Sequence, residues 1–125
     1  MVNLGGATEN DRKKIVITKD SKAFFHNNVD YCVGTGRMGL ALTEEYQEEL
    51  RLVQKEIGFK HIRGHGLFCD DMAIFQTYEE DGKVRVEYNY TYLDRVMDAY
   101  KKVGLRPFLE LGFMPKKLAS GSQTI

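Results

Sequence analysis

From Tyr31 onward the chain alternates short apolar runs with longer stretches in which apolar residues return every three or four positions, the patterns of strands and amphipathic helices. Tyr31-Cys32-Val33-Gly34 reads as a buried strand followed by a glycine-rich turn. A helix comes next, with Tyr46, Leu50, Val53 and Ile57 on one face. Thr43 offers it an N-cap oxygen, Glu44 and Glu45 suit the positive helix start, and Gly58 closes it. A second strand is expected at about residues 59–65. The second helix has Thr91 as its cap, an apolar side of Leu93, Val96, Met97, Tyr100 and Val103, Lys101 and Lys102 in its last turn, and Gly104 as its stop. A third strand follows at about residues 106–112. Upstream, residues 1–12 read as a polar leader, and Ile15-Val16-Ile17 as one short strand with Phe24 and Phe25 as anchors.

Strand, helix, strand, helix, strand in this order indicates right-handed βαβ units in a parallel sheet. Such a sheet needs cover on both faces or closure into a barrel. Between the second strand and second helix, residues 73–78 and 83–88 alternate apolar and polar around Glu79-Glu80-Asp81-Gly82, a β-hairpin with an Asp-Gly turn. Lying in a βα loop, this insertion would rise from the C-terminal face of a barrel, where active sites are built.

Composition narrows the class. The 125 residues, 42% hydrophobic, can bury one modest core, and 18 acidic against 18 basic side chains give no net charge, so no nucleic acid and no anionic membrane is expected as a partner. Cys32 and Cys69 lack metal-ligand spacing and are expected as buried free thiols. The first twenty residues carry no apolar run long enough for a signal peptide, and no stretch approaches the ~20 apolar residues of a spanning helix, which makes the cytoplasm the default address.

Gly34-Thr35-Gly36-Arg37-Met38-Gly39 matches the dinucleotide fingerprint G-x-G-x-x-G, but the best helix cap falls four residues after it, and Arg63 stands where an acid is expected. A turn that re-aims the chain at a barrel rim fits better. His61 and His65 have helical metal-pair spacing, yet on a strand they lie ~13 Å apart, too far to share one ion, so no metal site and no cofactor are expected. Strand alternation puts His61, Arg63 and His65 on one face and Ile62 on the other. His65 is then either a satisfied core histidine or a group that bonds a sugar hydroxyl, and Arg63 can brace a carboxylate. On the third strand Phe108, Glu110 and Gly112 share a face, opposite Leu109 and Leu111. Glu110 could serve as a general acid or base, but a carboxylate paired with Arg63 is the better reading, because an unpaired buried ion is costly. Asp70-Asp71 reads as loop-ordering rather than cation-binding, and the Asn89-Tyr90-Thr91 sequon is discounted because Thr91 is taken as a cap.

Four segments carry a resemblance: Tyr31 to Leu42, Ile62-Arg63-Gly64-His65-Gly66-Leu67 with Asp70-Asp71, Tyr88 to Arg95, and Arg106 to Gly121. Together they resemble the start of the bacterial β-xylosidases of glycoside hydrolase family 39, over about Tyr31 to the last residue. The resemblance implies the N-terminal part of a (β/α)8 barrel, about three strands and two helices, with the hairpin as an insertion and Ile15-Val16-Ile17 as the leading strand of an accessory β-sandwich. Residues 1–30 would be leader and residues 31–125 partial barrel. It further implies retaining hydrolysis of short xylo-oligosaccharides by two glutamates ~5–5.5 Å apart, one in an Asn-Glu-Pro motif. That motif is absent from this sequence, so no catalytic residue is expected in the chain. By position Arg63 resembles the arginine that orients the nucleophile, His65 the histidine that bonds the glycone, and Phe113 a residue of the pocket wall. Glu110 is left as the structural partner of Arg63.

Three functions compete on this reading: the front third of a retaining β-xylosidase, inactive alone; a sugar-binding or docking module that completes a barrel with another chain; and an unrelated nucleotide-binding domain. Xylose or short xylo-oligosaccharides are the expected ligands, and the raw edges of a three-stranded sheet invite self-association.

Overall fold

A computed structural model describes residues 15–16, 18–20 and 26–123. In chain order it comprises β1 (Cys32–Arg37), α1 (Glu44–Glu56), β2 (His61–His65), β3 (Phe75–Glu80), β4 (Lys83–Tyr88), α2 (Thr91–Lys102) and β5 (Arg106–Leu109). β1, β2 and β5 form a parallel three-stranded sheet with β2 at its centre, and β3 and β4 form a separate antiparallel hairpin. This is the α/β arrangement expected from the order of elements.

The core lies between one face of the sheet and the helices. Ile62 from β2, Met38 and Ala41 from a 3-10 turn after β1, Leu50 from α1, and Val96 and Tyr100 from α2 meet there with Leu67, Met72 and Leu105. Burial pushes the Tyr100 hydroxyl well above the ordinary tyrosine range, with Tyr46 beside it adding to the effect, and the hydroxyl donates to Met38 Sδ at 3.8 Å. Gly58 and Gly104 end their helices with φ of +74° and +76°, a conformation that costs glycine nothing. Asp81 and Gly82, both at positive φ, form the two-residue turn that matches the twist of the hairpin.

Several local expectations change. β1 does not stop at Gly34 but runs through the glycines to Arg37, and its register with β2 shifts between Gly34 and Arg37, so the re-aiming is a bulge within the strand rather than a turn after it. Thr43 precedes α1, but its hydroxyl donates back to the Leu40 carbonyl and closes the 3-10 turn. Thr91 is the first residue of α2, and the capping oxygen is Asn89 Oδ1, which accepts the Thr91 N–H at 2.9 Å. Ile57 is exposed, because α1 ends at Glu56 and the chain turns away. β5 is three residues shorter than expected. Leu109 is half-exposed and Leu111 is 76% exposed instead of packing on helices, for among the described residues no α-helix follows β5, only a short 3-10 turn at Lys116–Leu118. Ile15 and Val16 are exposed and outside any strand, while Ile17, Phe24 and Phe25 lie outside the described residues. Both cysteines are free, but half-buried rather than buried.

Candidate functional site

The parallel register decides which side chains share a face. Arg63 aligns with Gly34 on one side and Phe108 on the other, while Ile62 aligns with Val33 and Pro107. Alternation along β2 then splits the sheet: Ile62 is 1% exposed against the helices, whereas the Arg63 side chain is 57% exposed on the opposite face. Gly64 sits between Arg63 and His65 on the covered side. A Cβ there would come within 2.7 Å of Met38 Sδ and 2.8 Å of Thr35 Cγ2, so the missing side chain is what lets the turn after β1 lie so close to β2.

On the open face Arg63 Nη2 lies 2.8 Å from Glu110 Oε1. Glu110 is the first residue beyond β5 and reaches back along the strand end to the central strand. A guanidinium carries five donors in a planar fork, so one carboxylate oxygen leaves it able to meet a second anion. Two residues on, half-buried His65 faces Phe113, with ring centroids 5.8 Å apart and planes inclined at 52°. The structure thus brings together the four residues singled out in the sequence, in two adjoining pairs. Gly66 follows at φ +76°, where any side chain is strained, and turns the chain out of the strand directly after His65.

The remaining candidates have structural partners. His61 Nδ1 is 3.0 Å from the Tyr31 carbonyl oxygen, with its ring 4.7 Å from that of Tyr31. Asp71 pairs with Arg37 at 3.4 Å, and Asp70 Oδ1 accepts the Lys116 N–H at 3.1 Å. Among the described residues no group of three or more His, Cys, Asp or Glu side chains could hold a metal ion. No described helix is long and apolar enough to cross a membrane. The glycines of the G-x-G-x-x-G match lie in β1 and in the five-residue 3-10 turn Met38–Leu42, away from the start of α1, so no α-helix N-terminus is available there for a pyrophosphate.

Sequence reasoning missed one feature. A cavity of about 580 Å³ opens beside the His65–Phe113 pair, walled by Phe113 and by Phe68, Phe75, Tyr88, Tyr90 and Leu111. Its aromatic residues come from the loop after β2, the open base of the hairpin and the segment after β5. The signal was the aromatic bias at the open base of the hairpin, where Phe75 and Tyr88 pair across the strands with centroids 6.0 Å apart.

Residues 13–125 match the family described as Glycosyl hydrolases family 39. The chain belongs to that family. A β-xylosidase of Geobacillus stearothermophilus is 50% identical over 113 residues, covering 90% of this chain and 22% of the relative. A β-xylosidase of Caldicellulosiruptor saccharolyticus is 37% identical over 95 residues, covering 75% and 19%. Among solved structures, a family 39 β-xylosidase from Caulobacter crescentus has a TM-score of 0.66 at 33% identity, covering 74% of this chain and 20% of that one. A family 39 enzyme from Xanthomonas axonopodis pv. citri has a TM-score of 0.63 at 35% identity, covering 74% and 17%. The chain therefore spans about a fifth of the length of these relatives and corresponds to an N-terminal portion of family 39 β-xylosidases.

Proposed function

We propose that residues 31–125 form the first part of a (β/α)8 glycosidase barrel and supply one wall of the glycone pocket of a retaining β-xylosidase acting on short xylo-oligosaccharides. The observation that carries this reading is the gathering of Arg63, Glu110, His65 and Phe113 at the C-terminal ends of β2 and β5, on the sheet face away from the helices. In a barrel that face is the interior and that end bears the chemistry.

Each residue has a part. Arg63, anchored by Glu110, keeps donors to orient the carboxylate that attacks the sugar. The imidazole of His65 exchanges a hydrogen bond with a glycone hydroxyl, and Phe113 offers an apolar surface to the ring and holds the imidazole. Retention requires two carboxyl groups ~5–5.5 Å apart. Glu110, committed to Arg63, is not one of them, and these residues contain no Asn-Glu-Pro motif, so the 125-residue chain alone turns over no aryl β-xyloside. Turnover by the isolated chain that vanished in Glu110→Gln would overturn that assignment.

The direct test is a chimera in which the matching 113 residues of the Geobacillus stearothermophilus β-xylosidase are replaced by those of this chain. The chimera should hydrolyse an aryl β-xyloside. His65→Ala and Arg63→Ala should each lower its kcat/KM by roughly 10²–10³-fold, the scale for losing one preorganised donor. A soluble chimera that is active and indifferent to both substitutions would remove these residues from the pocket.

A further inference from the structure

The loop that leaves His65 also holds the segment bearing Phe113. Phe68 N–H donates to the Gly112 carbonyl at 3.2 Å, and Asp70 Oδ1 accepts the Lys116 N–H at 3.1 Å, so the two bonds flank Phe113 at the preceding residue and three residues beyond it. The same loop is tied to the end of β1, where Arg37 Nη1 reaches Asp71 Oδ2 at 3.4 Å and Arg37 Nη2 donates to Cys69 Sγ at 3.6 Å. Glycine at positive φ in position 66 fixes how the loop departs from the strand.

Other ties hold the Phe113 segment only at its margins: Glu110 pairs with Arg63, Pro115 is buried, and Lys117 Nζ donates to the Thr77 carbonyl at 3.4 Å. β5 ends at Leu109, and its pairing with β2 ends there, so residues 110–115 run outside any ladder. Leu111 and Met114 are exposed. Backbone segments without a ladder keep a fixed path only through such side-chain and loop bonds. Of the two bonds flanking Phe113, the one made by Asp70 depends on a side chain, and a carboxylate accepting a backbone N–H is the stronger type.

We propose that Asp70 is a positioning residue that sets the Phe113 ring against the His65 imidazole and so shapes the pocket wall, a role that rests on the reading of those two residues as that wall. It touches neither ring and acts through the Lys116 N–H. The aspartates next to the pocket thus divide their work: Asp71 fastens the loop to β1, and Asp70 fastens the Phe113 segment to the loop.

The contact can be read without any sugar, from the His65 ring-proton NMR shifts and the cross-relaxation between the His65 and Phe113 rings in the 125-residue chain at fixed pH, with Phe113→Leu as the reference for a lost ring. Asp70→Ala should move the His65 shifts at least halfway to that reference and weaken the cross-relaxation severalfold, whereas Asp70→Asn, which retains an acceptor oxygen, should restore both. Lys116→Pro removes the donor without touching Asp70. Position 116 opens a 3-10 turn after an extended Pro115, where proline is tolerated, so this variant should reproduce the Asp70→Ala spectrum even if Asp70→Ala unfolds. Unchanged His65 signals in Lys116→Pro, or an Asp70→Asn spectrum as altered as that of Asp70→Ala, would overturn the proposal. Because no substrate enters the measurement, that result is separate from a failure of the chimera.

Discussion

The two faces of the parallel sheet are built from the same three strands and have opposite characters. On the helix side, Ile62 and the residues around it are sealed by the turn after β1 and by both helices. On the other side, Arg63 and Phe108 are exposed and His65 is half-buried, with polar and aromatic groups at the strand ends in place of a packed layer. The difference teaches where each kind of residue exerts its effect. Covered positions set whether the chain folds, through volume and shape; open positions have been released from that duty and can carry charge and hydrogen-bonding groups.

Substitution tests the contrast most severely at Ile62. Ile62→Ala should cost about 2–5 kcal/mol in chemical denaturation, because the surrounding helices cannot collapse onto the void. A loss under 1 kcal/mol would mean that the covered face is loosely packed. Next comes Gly64, whose added methyl in Gly64→Ala would meet buried Met38 and the Thr35 methyl; a cost of roughly 1–3 kcal/mol is expected by the same measurement.

The covered face should also respond to alkali. Tyr100 is held protonated in the folded chain, with its hydroxyl raised above the ordinary value of 10.0, so in the unfolded chain it ionises first. The unfolded state then carries fewer protons, and stability contributed by this group falls as the pH climbs above about 10, by up to about 1.4 kcal/mol per pH unit. Melting curves of wild type and Tyr100→Phe should converge or cross over that range, and a constant gap would place Tyr100 in water.

The smallest effect on folding is expected at the open face. Arg63→Ala should change stability by less than about 1 kcal/mol, since a pair this exposed to water is worth little, even though the same change should disable the chimera. If Arg63→Ala unfolded the chain as readily as Ile62→Ala, the two faces would not differ in kind.

Much of this division was legible in the sequence. Alternation along residues 61–65 separated Ile62 from Arg63 and His65, and Gly58, Gly104 and the Asp81-Gly82 turn marked where elements end, because each signal is local and physical. Less legible were features decided between segments. Asn89 could have been chosen over Thr91 as the cap, since an Asx side chain commonly bonds the backbone N–H two residues ahead. The fate of Thr43 could not, because its hydroxyl answers to a 3-10 turn that the glycine-rich pattern conceals. The shortened β5 and the exposed Leu111 follow from which neighbours are present, and no periodicity encodes that. The pairing of Arg63 with Glu110 was readable as charge and parity. The ties from Asp70 and Phe68 to the Phe113 segment were not, for they join positions far apart in sequence through backbone groups that look alike everywhere.

The hairpin has a consequence for the order of assembly. Glu80 and Lys83 are paired across a two-residue turn, whereas Cys32 must find His61, and His61 must find Arg106, each across an intervening helix. Forming a β-hairpin takes about 1–10 μs, while parallel pairing waits on long-range loop closure and is intrinsically slower. Phe75 and Tyr88 therefore meet before β2 and β5 do. An isolated hairpin is only marginally stable, so the Phe75–Tyr88 pair lasts only once the parallel sheet that carries Arg63 and His65 has formed beside it.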